Sequence, residues 1–355
     1  MPRLAPDARF RLWTHPECPE PVSLPNVSCL PVSAAADGLR TLLDPSGLDS
    51  LTPDDVVHFP FSLLGRGLGC PSVVTIHDLM WLEHANQVDA RPLFRRVRAE
   101  FYRLGMRQAL AHATRLIAVS EATRARMIAV LPACQSRVRV IHNAAGPAFK
   151  APSDLGAAAR RAAELIGSDA PYYVVVGKNE PYKGHRFALE AFAREARPGE
   201  LLVLVQRTRS GAGLSRLAQT LGISSKLRWL PTLNEPDLVT VLQAARALVQ
   251  PSLVEGFGIP VLEAMASGCP VIASDTPALL EVLGGAGLHA AVADVAGLAS
   301  AMNKLRNAAL HSELRERGLL RARAFSWDTA AEQTLEVYRE ARAAGQAGSP
   351  GSGRA

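Results

Sequence analysis

The feature that most constrains this chain is an alternation kept up along its length. Short apolar, β-branched runs are each followed by a longer stretch of helical periodicity. In the first half the runs fall at residues 9–14, 26–32, 55–61, 72–77, 115–120 and 137–143. In the second half they fall at 172–177, 201–206, 227–230, 247–251, 270–274 and 287–290. Helical patterns occupy 93–111, 121–130, 185–196, 213–221, 235–244 and 260–267. A strand followed by a helix long enough to cross over is a βαβ unit, and a series of such units builds a parallel sheet. Continuous runs such as Val73-Val74-Thr75-Ile76 and Tyr172-Tyr173-Val174-Val175-Val176 suit strands covered by helices on both faces. The predicted class is α/β, with doubly wound parallel sheets.

The 355 residues suffice for two domains, each with its own core. An alanine-rich helical stretch at 150–167 separates the two series of runs, so the expected division is 1–160 and 161–326. A helix at 327–343 is expected to return to the first domain, and the Gly/Ser/Pro-rich 344–355 to be a disordered tail. No apolar run approaches the ~20 residues of a membrane helix, and residues 1–11 lack the apolar core of a signal peptide. These features predict a cytoplasmic protein. The five cysteines (Cys18, Cys29, Cys70, Cys134, Cys269) never pair as C-x-x-C, which argues against a disulfide framework or a zinc site and for small buried thiols.

The net charge is +6, and all but five of the 39 basic residues are arginine. Where this chain uses lysine, the choice carries information. The arginines are dispersed and aromatics make up only 5%, which excludes a nucleic-acid stacking platform. On the helix at 91–111, Leu93, Phe94, Val97, Phe101 and Leu104 share one face, with Arg95, Arg96, Arg98, Arg103 and Arg107 outside it. The stripe is expected to face the core; the competing expectation is peripheral docking on an anionic membrane.

The densest chemical signal runs from Ser252 to Pro270. It reads as a strand end, a loop Glu255-Gly256-Phe257-Gly258, a helix opening at Ile259-Pro260, a closing Gly268 and a return strand. Proline suits a first helical turn, glycine a helix end, and the free N–H groups of a helix start can hold a phosphate. Glu255 stands in the loop, and Glu263, eight residues on, lies one turn into the helix. A second loop, Gly177-Lys178-Asn179-Glu180-Pro181-Tyr182-Lys183-Gly184, ends a buried strand and holds two of the scarce lysines, point charges suited to phosphate. In the first half, the run Val73–Ile76 ends in His77-Asp78, where ligands bind in open α/β sheets.

The segment from Glu255 to Val271 resembles the E-G-F-G-x-P-x-L-E-A-M-A-x-G-x-P-V signature of the GT4 family of retaining glycosyltransferases. Ala273-Ser274-Asp275-Thr276-Pro277 with Glu281 resembles that family's next loop, and weaker similarity extends over 55–343. Residues 177–184 resemble its G-R-x-x-x-x-K-G loop, with Lys178 in the arginine's place, and Thr75-Ile76-His77-Asp78 its T-x-H-D. Segments 117–121 and 140–143 resemble later loops of the first domain, although Ala144 stands where glycine is usual. The resemblance implies a GT-B fold, two Rossmann-like domains facing each other across a cleft. The family's opening strand and glycine-rich loop have no counterpart, so the first domain is expected to begin at the second strand, 9–14.

Further implications are a nucleotide-sugar donor and an acceptor that is a glycan, a lipid-linked saccharide or a small molecule. Among the implied roles, Glu255 takes the donor sugar's hydroxyls, Lys183 and Lys178 the diphosphate, and Glu263 the ribose. His77 faces the sugar, and Gly256, Phe257, Gly258, Ile259 and Pro260 form the donor loop. No metal or cofactor is expected. A dinucleotide-dependent dehydrogenase fits less well, because its third fingerprint glycine would fall on Val261 and Glu255 would crowd the pyrophosphate. A non-catalytic sugar-nucleotide-binding protein, and a GT-B epimerase or hydrolase, compete with the transferase as expectations.

Overall fold

A computed structural model of the chain describes residues 1–14, 23–31, 51–65, 67–83, 92–206 and 212–348. The chain divides into two compact units. The first is built from residues up to His142 together with those from Trp327 onward, the second from Asn143–Ser326.

The first unit opens with strands β1 (Phe10–Thr14), β2 (Val27–Pro31), β3 (Val57–Phe59) and β4 (Ser72–Ile76). Helices α1 (Met80–Glu83) and α2 (Pro92–His112), strand β5 (Arg115–Ala118), helix α3 (Glu121–Val130) and strand β6 (Val138–Val140) follow. The second unit runs α4 (Leu155–Ile166), β7 (Tyr172–Val176), α5 (His185–Glu195), β8 (Leu201–Val205), α6 (Ala212–Thr220), β9 (Leu227–Leu230) and α7 (Glu235–Ala244). It continues with β10 (Ala247–Gln250), α8 (Ile259–Ala266), β11 (Val271–Ser274), α9 (Pro277–Leu283), β12 (Leu288–Ala290), α10 (Val295–Lys304) and α11 (Ala308–Ala322). Helix α12 (Trp327–Gly348) belongs to the first unit.

Every apolar run of the sequence contains a strand, and every strand pairing is parallel. The second unit has one six-stranded sheet in the order β12-β11-β10-β7-β8-β9. Chain order reverses between β7 and β10, which lie side by side with Ala247 opposite Tyr173. Such a switch point, at the carboxyl ends of the strands, is where open α/β sheets bind ligands. The loops that follow β7 and β10 are the lysine-bearing loop and the Glu255 loop. In the first unit the strands form a four-stranded sheet, β3-β4-β5-β6, and a separate pair, β1-β2, rather than one sheet.

Three expectations change. The alanine-rich stretch at 150–167 forms a helix, as expected, but it lies wholly inside the second unit instead of marking the boundary. Asp154 caps α4 by accepting the Ala157 N–H, and α4 buries Ala158, Ala162 and Ile166 within the second unit, which starts at Asn143 instead of 161. Helix α12 runs past 343 to Gly348, because Gly345 packs against Pro71 and Gln346 reaches Asp54 at 3.3 Å. Residues 349–355 of the expected tail, and Cys18, lie outside the described residues.

The third change is the face of α2. Its buried residues are Ala99, Tyr102, Met106, Ala109 and Leu110, with the Tyr102 ring stacked on Trp81 at 4.7 Å. That rotates Leu104 outward, where it is 57% exposed, while Phe101 of the expected stripe stays half-buried against Leu63 and Tyr102. The side chains of Leu93, Phe94, Arg95, Arg96, Val97 and Arg98 lie outside the described residues.

Helix α12 joins the first unit by packing and by polar clamps. Ala330, Val337 and Ala341 pack on Val73, Ile117 and Ile141. Glu340 accepts from Arg115 at 3.1 Å and Arg139 at 3.0 Å. The Tyr338 hydroxyl meets His58 Nδ1 at 2.7 Å, and His58 Nε2 meets Thr75 Oγ1 at 2.8 Å. Burial, with the charge of His77, pushes His58 down to about 4, so this ring is neutral at physiological pH. Among the described residues no helix is long and apolar enough to cross a membrane.

Candidate active site

The site in the second unit is built by two loops that bond to each other. Beyond β7, Gly177 adopts a left-handed φ of 131°, and a short turn at Pro181–Lys183 leads into α5 through Gly184 at φ 65°. A Cβ on Gly184 would collide with the Pro251 carbonyl, so glycine is required for the two loops to meet. The Leu253 N–H donates to the Tyr182 carbonyl at 2.7 Å, and Ser274 Oγ donates to the Ser252 carbonyl.

Lys183 and Glu255, far apart in sequence, are thereby brought into a 2.8 Å ion pair. Glu255 Oε1 accepts from Lys183 Nζ, from Ser252 Oγ at 2.7 Å and from Gln250 Nε2 at 2.9 Å. Its other oxygen, Oε2, makes no hydrogen bond among the described residues. The arrangement anchors one oxygen and leaves the second to accept from a ligand. Lys183 also lies 5.1 Å from the Tyr182 ring centroid. The Lys178 side chain is exposed at the mouth of the first loop, without a partner among the described residues.

Helix α8 begins at this point. Gly258 takes φ 107° as its N-cap, and a Cβ there would stand 2.6 Å from Leu279. Val261 and Leu262 N–H return to the Gly258 carbonyl, and Pro260 has no N–H to leave open. The Gly258 and Ile259 N–H groups have no partner among the described residues and carry the positive end of the helix dipole. At the other end, Gly268 N–H bonds to the Met265 carbonyl at 3.0 Å and Cys269 N–H to Ala264 at 2.8 Å, a Schellman closure. Phe257 is buried edge-on against Phe325 at 5.8 Å.

Glu263 is half-buried, and its carboxyl makes no hydrogen bond among the described residues. Burial, assisted by the charge of Glu235, pushes that carboxyl up to about 7. The first residue of α5, His185, is buried with Nδ1 2.9 Å from Gln206 Nε2. The amide can only donate there, so the proton of the neutral ring sits on Nε2. Burial, with Lys183's charge, pushes His185 down to about 4.

His77 lies in the first unit, exposed at the end of β4. Its Nε2 stands 2.8 Å from the Pro60 carbonyl, which can only accept, so Nε2 carries the proton and Nδ1 is left as an acceptor in the neutral ring. Asp78 Oδ1 accepts the Met80 N–H at 3.0 Å and so starts α1. Among the described residues no group of three His, Cys, Asp or Glu side chains could hold a metal ion.

Sequence reasoning missed Gln250 and Phe325, and gave Ser252 no role beyond opening the motif. The available signal was Gln250 itself, the polar member of an otherwise apolar strand, Ala-Leu-Val-Gln.

Comparison with known proteins bears on the family and the fold. Residues 156–321 match the model of glycosyl transferases group 1, and residues 12–148 match that of glycosyltransferase family 4. A D-inositol 3-phosphate glycosyltransferase of Actinosynnema mirum is 31% identical over 309 residues, spanning 81% of this chain and 73% of that protein. Among solved structures, sucrose-phosphate synthase from Thermosynechococcus elongatus superposes with a TM-score of 0.73 at 21% identity, over 94% of this chain and 88% of that one. Anabaena HepE in complex with UDP-glucose superposes with a TM-score of 0.63 at 20% identity, over 75% and 71% of the two chains. With both halves of the sequence matched and this architecture shared, the chain belongs to the GT4-type group 1 glycosyltransferases and has the GT-B fold.

Proposed function

We propose that this glycosyltransferase moves a hexosyl group from a nucleotide-sugar donor to an acceptor hydroxyl, with retention at the anomeric carbon and without a metal ion. The observation that carries the proposal is Glu255 at the head of α8, with Oε1 anchored by Lys183 and Oε2 open. A donor's diphosphate would meet Lys183, Lys178 and the open N–H groups of Gly258 and Ile259. Glu255 Oε2 would accept a sugar hydroxyl, and Glu263 would accept from the ribose. A solved structural neighbour that binds UDP-glucose supports this class of donor.

In the reaction the bond from the anomeric carbon to the diphosphate oxygen breaks, and the acceptor oxygen bonds to that carbon on the same face. The acceptor's proton passes to the departing phosphate. Negative charge grows on the leaving group, so fixed positive ends aimed at it stabilise the transition state more than the ground state. The acceptor is a glycan, a lipid-linked saccharide or a small molecule. The similarity to D-inositol 3-phosphate glycosyltransferases favours a small polar acceptor as the first to try.

Release of free nucleotide from UDP-glucose, UDP-N-acetylglucosamine and GDP-mannose, with and without acceptors, tests the proposal. Lys183→Ala and Glu255→Ala should each lower kcat/KM by roughly 10²–10³-fold. Wild-type rates in both variants would sink it. Binding without turnover would point to a non-catalytic binder, equal nucleotide release without acceptor to a hydrolase, and conversion of the donor without nucleotide release to an epimerase. His77→Ala in the same assay tests the sugar-facing role implied by the resemblance.

Outward-facing Leu104, with Arg103 and Arg107 beside it on α2, supports a peripheral contact with an anionic membrane on the cytoplasmic side. Co-sedimentation with phosphatidylglycerol vesicles but not phosphatidylcholine vesicles is expected, and Leu104→Glu should weaken it. Equal sedimentation with both would remove this contact from the account.

A further inference from the structure

Strand β10 is buried at every position, between β7 and β11, yet its last residue is polar. Gln250 is 1% exposed. A parallel strand covered on both faces is ordinarily apolar, as Ala247, Leu248 and Val249 are. The Gln250 amide nitrogen donates to Ser252 Oγ at 2.9 Å and to Glu255 Oε1 at 2.9 Å. Its carbonyl oxygen, Oε1, is buried without any hydrogen-bond partner among the described residues.

The carboxylate forces every direction in this network. A carboxylate oxygen only accepts, so Ser252 spends its hydroxyl proton on Glu255 and must accept from Gln250. Flipping the Gln250 amide would set its carbonyl oxygen against the Glu255 carboxylate, so a flip cannot relieve the orphaned acceptor. An unpaired buried carbonyl costs stability, and an apolar side chain of similar shape would remove that cost. A residue kept at a cost to the fold beside a ligand-facing carboxylate is best explained by what it does for that carboxylate.

The need for it follows from Lys183. That ammonium is the charged donor on Glu255, and it is also the group a diphosphate would draw toward itself. As its charge is shared with a bound anion, the neutral donors Ser252 and Gln250 must keep Oε1 in place. We propose that Gln250 is a positioning residue for Glu255, holding Oε1 from the buried strand so that Oε2 stays aimed at the donor sugar while Lys183 engages the diphosphate. This inference rests on the donor-site proposal above.

The test uses the full chain, the best-consumed of UDP-glucose, UDP-N-acetylglucosamine and GDP-mannose, and the variants Gln250→Met, Gln250→Leu, Glu255→Ala and Gln250→Met/Glu255→Ala. Each is measured for kcat/KM, donor dissociation constant and thermal unfolding. Both Gln250 variants should lower kcat/KM about tenfold, the scale of one hydrogen bond to a charged group. Their Tm should be unchanged or raised by a few degrees as the orphan disappears. In the Glu255→Ala background, Gln250→Met should not change the donor dissociation constant further, because the effect passes through Glu255.

Wild-type kcat/KM in both Gln250 variants, a Tm several degrees lower in both, or an additive loss in the double variant would each overturn the inference. Wild-type turnover in Glu255→Ala would instead overturn the donor-site proposal, whatever the Gln250 variants do.

Discussion

Glu200 stands just before β8, at the end of the six-stranded sheet where the strands begin, and Glu255 lies beyond β10, where they finish. Both side chains are buried, at 6% and 9% exposure, and both bind cationic side chains. Glu200 is saturated on both oxygens. Oε1 accepts from Arg246 and from Arg306 Nε at 3.0 Å, while Oε2 accepts from Arg306 at 2.7 Å and from the Arg197 N–H at 3.1 Å. Burial alone would raise its pKa. The hydrogen bonds from Arg306 and Arg197, with the charges of Arg306 and Arg246, outweigh burial and bring it down to about 2. Glu255 receives all three of its donors on one oxygen. A carboxylate with no acceptor capacity left can only staple elements together, whereas a half-saturated one is preorganised for a ligand.

Exchanging each acid for its amide should separate the two roles most sharply. Glu255→Gln should lower kcat/KM by about 10²-fold with little change in Tm, since one neutral oxygen can still accept from the same neighbours. Glu200→Gln should leave kcat/KM unchanged and cost roughly 3 kcal/mol, from the fall in pKa on folding. The sign follows from that fall. Glu200's contribution is fully present above its ordinary value of 4.5 and is lost as pH drops toward about 2. The Tm gap between wild type and Glu200→Gln should therefore close on acidification, and a gap that persists at pH 2 would contradict the staple.

Glu263 sharpens the comparison from the other direction, with a smaller effect. Its carboxyl is raised from 4.5 to about 7, so the folded chain holds this proton after the unfolded chain has lost it. Stability should fall as pH rises from 4.5 to 7 and level off above that. Glu263→Gln should match wild type near pH 4 and exceed it above pH 7, by about 2 kcal/mol once solvent screening of this half-buried carboxyl is allowed for. Thermal unfolding at the two pH values decides it, and a wild-type advantage at pH 8 would show that Glu263 has a charge partner on folding.

Much of the fold was legible before the structure because its signals are local. A strand buried on both faces announces itself as a continuous apolar run, and Gly258, Pro260 and Gly268 mark a helix start and end by backbone conformation alone. The site was legible where a loop's residue types made sense only for a ligand, as with two scarce lysines or a glutamate between glycines. The face of α2 was not, because stacking of Tyr102 on Trp81 outweighed a stripe drawn through Leu104. Nor was the start of the second unit, since a helix lying between two series of strands can belong to either until its small residues find a helix to pack on.

The sequence by itself determined the α/β class, the strand order along the chain, the lysine-bearing and glutamate-bearing loops that follow β7 and β10, and the family. Each depends on residues within one element or one turn. Only the tertiary structure decided that Lys183 meets Glu255, that Gln250 and Ser252 hold the same oxygen, and that Glu200 is locked by Arg246 and Arg306. Those pairings join residues from separate strands and loops. Burial makes them strong, and burial exists only once the sheet has brought the ends of its strands together.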